Sequence, residues 1–276
     1  MHRQFRQVDV FTEVPFLGNP VAVVHGADGL ADADMQRCAR WTNLSETVFL
    51  LSRTDERADY RVRIFTPDGE LPFAGHPTLG SAHAWLEAGG PSSRQDLIVQ
   101  ECEAGLVQVR RTPSGLAFKA PPLLRDGRPA ESMIEEMAAS LGIERGEIID
   151  ARVVDNGPGW VAAQLASAGA VLGIKPRAVQ FKLGVFGAYP AGSPEAFEVR
   201  AFLPLRGDTR EDPATGSLNA SLAQWLLSSG KATAPFTVSQ GTVLGRRGRI
   251  HVSTDTVGSV WVGGGTHTLV SGSIHL

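Results

Sequence analysis

A short motif occurs twice in this chain, and its two copies lie roughly half the chain length apart. Residues 76–81 read HPTLGS and residues 212–217 read DPATGS, and a stretch rich in Ala, Leu and Trp follows each copy. A proline just after a capping-type residue is typical of a helix N-terminus. Each copy is therefore predicted to begin a helix and to place a titratable side chain, His76 or Asp212, beside backbone N–H groups that favour an anion.

The repeat predicts two similar halves that face each other across a cleft, one contributing His76 and the other Asp212. The helical stretches after both motifs are apolar on nearly all faces, which is typical of buried helices. Short alternating or β-branched stretches on both sides of each helix predict strands. The sequence therefore predicts an α+β fold of two strand-rich lobes.

The predicted elements cover most of the chain. The helices are expected at 31–41, 77–88, 132–141 and 214–228. The strands are expected at 4–12, 20–25, 45–51 and 60–65, near Leu97, Val107, Leu116, Val153, Val161, Val185 and Val199, and at 236–240, 249–252, 259–263 and 271–276. The proline-rich residues 121–130 are interpreted as the linker between the lobes.

Composition excludes several classes of function. The 276 residues suffice for two domains, and the net charge of -3 gives no general attraction to nucleic acid or to an anionic membrane. No apolar stretch approaches the length of a membrane span, and the polar, strand-like first ten residues do not resemble a signal peptide. Cys38 and Cys102 are isolated in the sequence, which favours a reducing cytoplasm over a disulfide framework.

Glu46 is a third candidate because it lies, with Thr47, directly before the apolar residues 48–51. A carboxylate at the start of a buried strand loses part of its hydration, and desolvation raises the pKa of such a group toward the range useful for proton transfer. The alternative is an ordinary surface glutamate. Asn19, between Gly18 and Pro20, is either a turn residue or a polar wall of the cleft.

Other catalytic patterns are not evident. The chain shows no Gly-x-Ser-x-Gly nucleophile elbow, no phosphate-binding loop, and no Cys and His spacing suited to zinc. The basic residues 245–249 (GRRGR) are interpreted as a solvated turn rather than a ligand site. What remains is a site without metal or organic cofactor, suited to moving a proton on a small carboxylate, with Glu46 as the base and the helix N-termini stabilising negative charge.

Six segments of the chain together resemble one known family. They are QVDVFT at 7–12, GNP at 18–20, NLSET at 43–47, FTP at 65–67, ELPFAGHPTLG at 70–80 and EDPATGS at 211–217. These segments resemble the phenazine-biosynthesis PhzF-like isomerases, a family with the diaminopimelate epimerase-like fold. The resemblance implies two lobes, each a curled sheet around a central helix, at 1–118 with the C-terminal strand 266–276 and at 119–265.

The resemblance also implies a function, an assembly and a set of site residues. It implies a cofactor-independent isomerase similar to trans-2,3-dihydro-3-hydroxyanthranilate isomerase, acting as a cytoplasmic homodimer on a small carboxylate and using neither nucleic acid nor membrane as a partner. The implied catalytic residues are Glu46, His76 and Asp212. The implied substrate-binding residues are Asn19, Gly75, Gly216 and Ser217. Neither cysteine lies in a motif, so racemisation by two thiols is not expected.

Two alternatives stay open for the same residues: a hydrolase or lyase, and a non-catalytic small-molecule binding protein. The presence of all three ionisable residues argues against the binding protein, since a site without turnover would be free to lose them. Asp212 is expected to accept hydrogen bonds from nearby N–H groups, which lower the pKa of a carboxyl and make it a poor base. Glu46 is therefore predicted to be the single base, moving a proton between two carbons on one face of the substrate.

Overall fold

The computed structural model describes residues 1–91, 96–205 and 207–276. The chain divides into two compact units, formed by residues 1–119 with 263–276 and by residues 120–262. Each unit contains a strand-rich sheet and one buried helix of 13 residues. The predicted α+β class is confirmed. Among the described residues, no helix combines the length and the apolar character that crossing a bilayer requires.

The described part of the first unit is built mainly from strands, with two helices. Its helices are α1 (Asp32–Thr42) and α2 (Gly75–Glu87). Its strands are β1 (His2–Val10), β2 (Asn19–Val24), β3 (Thr47–Leu51), β4 (Tyr60–Phe65), β5 (Glu70–Leu71), β6 (Leu97–Cys102), β7 (Gly105–Thr112), β8 (Gly115–Lys119) and, from the chain's end, β18 (Thr266–His275).

The sheet of the first unit wraps around α2. Its strand order is β18-β1-β2-β3-β4-β6-β7-β8, with β5 also paired to β4. The pairs β2–β3 and β4–β6 are parallel and the others are antiparallel. The helix contacts β18 at one end of this order and β8 at the other. Gly80 permits the close approach, because a Cβ there would lie 2.3 Å from Val21 Cγ1.

Within its described residues the second unit contains three α-helices, and β17 runs across the sequence boundary at residue 262. Its helices are α3 (Glu131–Leu141), α4 (Ala168–Leu172) and α5 (Gly216–Ser228). Its strands are β9 (Arg125–Gly127), β10 (Asp150–Asp155), β11 (Val161–Gln164), β12 (Leu183–Ala188), β13 (Phe197–Leu205), β14 (Asp208–Asp212), β15 (Phe236–Gln240), β16 (Gly248–Thr254) and β17 (Val260–Gly264).

The second unit repeats the topology of the first. The order β9-β10-β11-β12-β13-β15-β16, with β14 also paired to β13, has parallel pairs only at β11–β12 and β13–β15. The seven strands from β18 to β7 in the first unit follow the same order of antiparallel and parallel pairs. The connection from β14 to α5 therefore corresponds to the connection from β5 to α2. A Cβ on Gly184 of β12 would lie 2.5 Å from Leu218 Cδ1, so α5 also packs closely on its sheet.

The structure corrects the register of the sequence repeat. Helix α2 begins at Gly75 rather than at 77, and α5 begins at Gly216 rather than at 214. Asp212 is the last residue of β14, and Thr215 keeps an extended backbone (φ -113°, ψ 99°) before the helix starts. The topology thus pairs Gly75 with Gly216 and His76 with Ser217, so HPTLGS and DPATGS are not structural equivalents.

The interpretation of residues 121–130 as a plain linker was wrong in part. Strand β9 (Arg125–Gly127) lies within this segment and pairs with β10. The Pro121 carbonyl accepts a hydrogen bond from Gln224 Nε2 at 2.9 Å, which ties the start of the segment to α5. The segment is therefore part of the second unit.

Candidate functional site

Three predicted residues meet at one edge of the first unit's sheet. Asn19 begins β2 and Glu46 directly precedes β3, and these two strands are parallel neighbours, so their starting ends lie together. His76 comes to the same edge as the second residue of α2. The His76 Nε2 atom lies 3.2 Å from Glu46 Oε2, and the Asn19 Nδ2 atom lies 3.4 Å from His76 Nδ1.

The environment of this group orients the imidazole. Asn19 and His76 are buried, whereas 15% of the Glu46 side chain is exposed. In the assigned amide orientation, Asn19 Nδ2 is a donor, so Nδ1 of a neutral His76 accepts and Nε2 carries the hydrogen. The Nε2 atom that carries it is the one close to the Glu46 carboxylate. The Glu46 carboxylate, which has partial solvent access, thus lies beside His76, and Asn19 holds the other side of the imidazole ring.

The N-terminal turn of α2 is fixed by a residue that sequence reasoning missed. Gln100 on β6 is fully buried, and its Nε2 donates to Thr78 Oγ1 at 3.0 Å while its Oε1 accepts from Ser81 Oγ at 2.9 Å and from Tyr60 Oη at 3.1 Å. The N-cap residue Ala74 provides no side-chain cap, so the first N–H groups of the helix are not capped by a side chain. The signal in the sequence was a glutamine within an apolar strand.

The remaining predicted residues lie in the second unit, at the connection from β14 to α5. Asp212 is buried, and its Oδ2 accepts a hydrogen bond from Thr215 Oγ1 at 2.5 Å. Gly216 and Ser217 are the first two residues of α5, whose N-cap Thr215 makes no side-chain cap bond to the helix. Thr215 was not singled out from the sequence, although it stands between Asp212 and the helix in the motif.

Two further residues of the second unit hold Ser217. Trp160 Nε1 donates to Ser217 Oγ at 3.0 Å, and Asn156 Nδ2 donates to the Ser217 carbonyl at 3.0 Å. An indole N–H only donates, so the Ser217 oxygen accepts this bond and its own hydrogen is not used in it. Asn156 and Trp160 lie between β10 and β11, and Asn19 directly follows the equivalent connection as the first residue of β2. Sequence reasoning did not assign them.

The cysteines and the basic segment, also considered from the sequence, make contacts typical of structural residues. Both cysteines are buried, and burial raises the pKa of the Cys38 thiol to about 11. The thiol therefore stays protonated at neutral pH and cannot accept a proton there. In the basic segment 245–249, Arg249 Nε lies 2.6 Å from Glu195 Oε1, and Arg249 also donates to Ser239 Oγ. Within the described residues, no group of three or more His, Cys, Asp or Glu side chains is arranged to hold a metal ion.

Comparison with known proteins agrees with the motifs. The family model described as phenazine biosynthesis-like protein matches residues 8–272. A Schizosaccharomyces pombe protein named antisense-enhancing sequence 1 is 38% identical over 292 residues, covering 97% of each chain. Trans-2,3-dihydro-3-hydroxyanthranilate isomerase of Pseudomonas aeruginosa is 34% identical over 273 residues, covering 94% of this chain and 92% of that one.

A solved structure shows the same fold. The PhzF-family phenazine biosynthesis protein of Bacillus anthracis matches with a TM-score of 0.84 at 23% identity, with 100% of both chains covered. Family model, named isomerases and fold all match over nearly the full length of the chain. The chain therefore belongs to the phenazine biosynthesis-like family, and it is an isomerase of that family.

Proposed function

We propose that this isomerase moves a proton between two carbons of a small carboxylate-bearing substrate, using its own side chains and no metal or organic cofactor. The observation that carries the proposal is the 3.2 Å contact between Glu46 Oε2 and His76 Nε2, with Asn19 at the other ring nitrogen. A carboxylate with partial solvent access and a fixed hydrogen-bond donor beside it are the two parts that single-base proton transfer needs.

In the proposed reaction Glu46 is the acid and base. Its carboxylate takes a proton from the donor carbon, and the electron pair left behind delocalises toward the substrate's unsaturated system. The resulting carboxylic acid then returns the proton to a second carbon, so that no atom is gained or lost overall. Because one group stays beside both carbons, the transfer is intramolecular within the complex, which is a large catalytic advantage.

The other predicted residues bind and stabilise in this proposal. His76 Nε2–H donates to Glu46 or to a substrate oxygen on which charge develops. The first N–H groups of α2 and α5, at Gly75 and at Gly216 and Ser217, bind carboxylate oxygens, as helix N-termini favour anions. Asp212, with Oδ2 held by Thr215, accepts a hydrogen bond from an amino or hydroxyl group of the substrate.

The proposed substrate class is a cyclic amino or hydroxy carboxylate. Its support is the 34% identity to the Pseudomonas aeruginosa isomerase, whose name describes a dihydro-hydroxyanthranilate as its substrate. We further propose that the protein acts as a cytoplasmic homodimer, as the resemblance and the isolated cysteines indicate. Size-exclusion chromatography with light scattering tests the dimer, since a monomer would contradict it.

The test of the function is hydrogen exchange with solvent. The protein is incubated in deuterated water with a panel of cyclic amino or hydroxy carboxylates, and deuterium incorporation is followed by mass spectrometry. The matched variants are Glu46→Gln, which keeps the shape but accepts no proton, and Glu56→Gln, which changes an exposed glutamate of the same unit. Loss of an acid or base group typically slows a reaction by about 10²- to 10⁴-fold.

The expected result is exchange into at least one substrate, lost in the Glu46 variant and retained in the Glu56 variant. Exchange that continues at the parent rate in Glu46→Gln would contradict the assignment of the base. Release of water, ammonia or another fragment instead of isomerisation would favour a lyase or hydrolase. Tight binding of the panel without any exchange would favour a binding protein.

A further inference from the structure

A buried glutamine lies beneath the connection from β14 to α5. Gln240, the last residue of β15, has no exposed surface. Its Nε2 donates to the Asp212 carbonyl at 3.0 Å and to Thr215 Oγ1 at 2.9 Å. Its Oε1 accepts from the Thr215 backbone N–H at 3.0 Å and from Asn219 Nδ2 at 2.8 Å. One amide therefore ties together the residues that flank the start of the helix.

The backbone partners fix which end of this amide donates. The Thr215 backbone nitrogen is always a donor, so the Gln240 atom that faces it must be the oxygen. The Asp212 carbonyl is always an acceptor, so the atom that faces it must be the nitrogen. The bond between Gln240 Nε2 and Thr215 Oγ1 then has one direction only, with Gln240 donating.

This direction determines where the threonine hydrogen points. A hydroxyl has one hydrogen to donate, and the Thr215 oxygen already accepts from Gln240. Its hydrogen is therefore available to Asp212 Oδ2, which lies 2.5 Å away. That separation is typical of a hydroxyl donating to an ionised carboxylate. Donation to the charged form of a carboxyl stabilises that form.

We propose that Gln240 and Thr215 are positioning residues that keep Asp212 ionised and fix the orientation of its carboxylate for the substrate. The chain of donors runs from the Gln240 amide to the Thr215 hydroxyl and ends on Asp212. The effect on catalysis rests on the proposed function, because it requires Asp212 to act on the substrate. The effect on the carboxyl group itself does not.

The first unit also contains a glutamine–threonine pair, but its threonine stands at a different position of the helix start. Gln100 lies on β6, the topological counterpart of β15, and its Nε2 donates to Thr78 Oγ1 at 3.0 Å. Thr78 Oγ1 then donates to the Ala74 carbonyl at 2.9 Å. In the register that pairs Gly75 with Gly216, Thr78 corresponds to Asn219, and its hydroxyl ends on a neutral carbonyl rather than on a carboxylate. Thr78 therefore supplies a control for the removal of a threonine hydroxyl at a helix start.

The direct experiment measures the Asp212 carboxyl without using turnover. The protein is labelled with ¹³C at aspartate carboxyls and titrated by NMR, with Asp212→Asn identifying the resonance. Thr215→Val removes the donor with little change of shape, Thr215→Ser keeps it, and Thr78→Val is the control. The pKa of Asp212 is expected to rise by about one pH unit or more in Thr215→Val, and to stay unchanged in the other two variants.

A second variant keeps the test decisive if Thr215→Val does not fold. Gln240→Met removes the donor to Thr215, so the threonine hydroxyl is no longer committed to Asp212, and the pKa of Asp212 is expected to rise here as well. An unchanged pKa of Asp212 in the folded variants would overturn the proposal. So would an equal rise in Thr78→Val, because it would show a general effect of loosening a helix start.

The activity measurement separates this inference from the proposed function. If Asp212 acts ionised on the substrate, the acidic limb of the pH profile for isotope exchange moves to higher pH in Thr215→Val and returns in Thr215→Ser. A carboxyl pKa that shifts in a protein without any exchange activity would contradict the proposed function alone. Active variants with an unmoved acidic limb would contradict the positioning role.

Discussion

The buried ion pair between Arg200 and Glu211 gives a quantitative prediction for the second unit. Arg200 is 2% exposed, and its guanidinium binds Glu211 in a bidentate manner, with N–O distances of 2.9 and 2.8 Å. Its Nη1 also donates to the carbonyls of Val171 and Ile174, and the group lies 4.9 Å from the centre of the Phe202 ring. Arg200 therefore joins the end of α4 to β14, the strand that carries Asp212.

Replacing Arg200 by methionine should lower the free energy of unfolding by about 3–5 kcal/mol, because removing one partner leaves the Glu211 carboxylate buried without its counter-charge. The Val171 and Ile174 carbonyls lose their guanidinium donor in the same step. The double variant Arg200→Met with Glu211→Met should be more stable than the single variant, since two apolar side chains leave no buried charge.

The assay is urea unfolding followed by tryptophan fluorescence, with the parent and all three variants measured at one pH. The reasoning predicts a coupling between the two positions of about 2 kcal/mol or more in the double-mutant cycle. A single Arg200 variant that loses less than about 1 kcal/mol would refute the reasoning. A double variant that loses the sum of the two single effects would refute it as well.

Three further predictions concern other parts of the chain. Burial, and then the neighbouring Arg6, lower the pKa of His25 from 6.5 to about 4. The unfolded state therefore binds more protons between these pH values, so the free energy of unfolding should be full above pH 6.5 and fall toward pH 4. Solvent screening limits the loss to about 1–2 kcal/mol. The Tm of His25→Gln should not show this fall. Gly80→Ala should cost about 1–3 kcal/mol in urea unfolding, because its Cβ would clash with Val21. Trp160→Phe should weaken binding of a carboxylate substrate by about 3- to 30-fold, measured by calorimetry, because the Ser217 hydroxyl loses the donor that orients it.

The repeated architecture could be predicted from the sequence because both central helices have an unusual composition. Helices α2 and α5 are apolar on nearly all faces, and this pattern is hard to place anywhere but inside a sheet. The exact helix starts could not be predicted in the same way. Pro77 lies inside the first turn of α2, whereas Pro213 precedes α5. The preference of proline for a helix N-terminus therefore does not give the same helix start in both motifs.

The candidate site was predictable as a set of residues, but its contacts were not. The proximity of Asn19 and Glu46 depends on β2 and β3 being parallel neighbours, and sequence periodicity does not determine which strands pair. The 3.2 Å contact of Glu46 with His76 depends in addition on where α2 packs. Strand β14 was missed because its sequence DTRED has no apolar alternation. Gln100 and Gln240 were missed because a glutamine in a strand can signal burial but does not reveal its hydrogen-bond partners.

The central claim is that one base, Glu46, moves a proton between two carbons on one face of the substrate. The most direct measurement is the reaction in deuterated water with a substrate whose migrating hydrogen is resolved by NMR. The claim predicts that hydrogen or deuterium arrives at a second carbon on the face from which the first hydrogen left, and that Glu46→Gln abolishes this transfer. Deuterium delivered to the opposite face of the original carbon, with inversion there, would contradict it and indicate an epimerase that uses two bases.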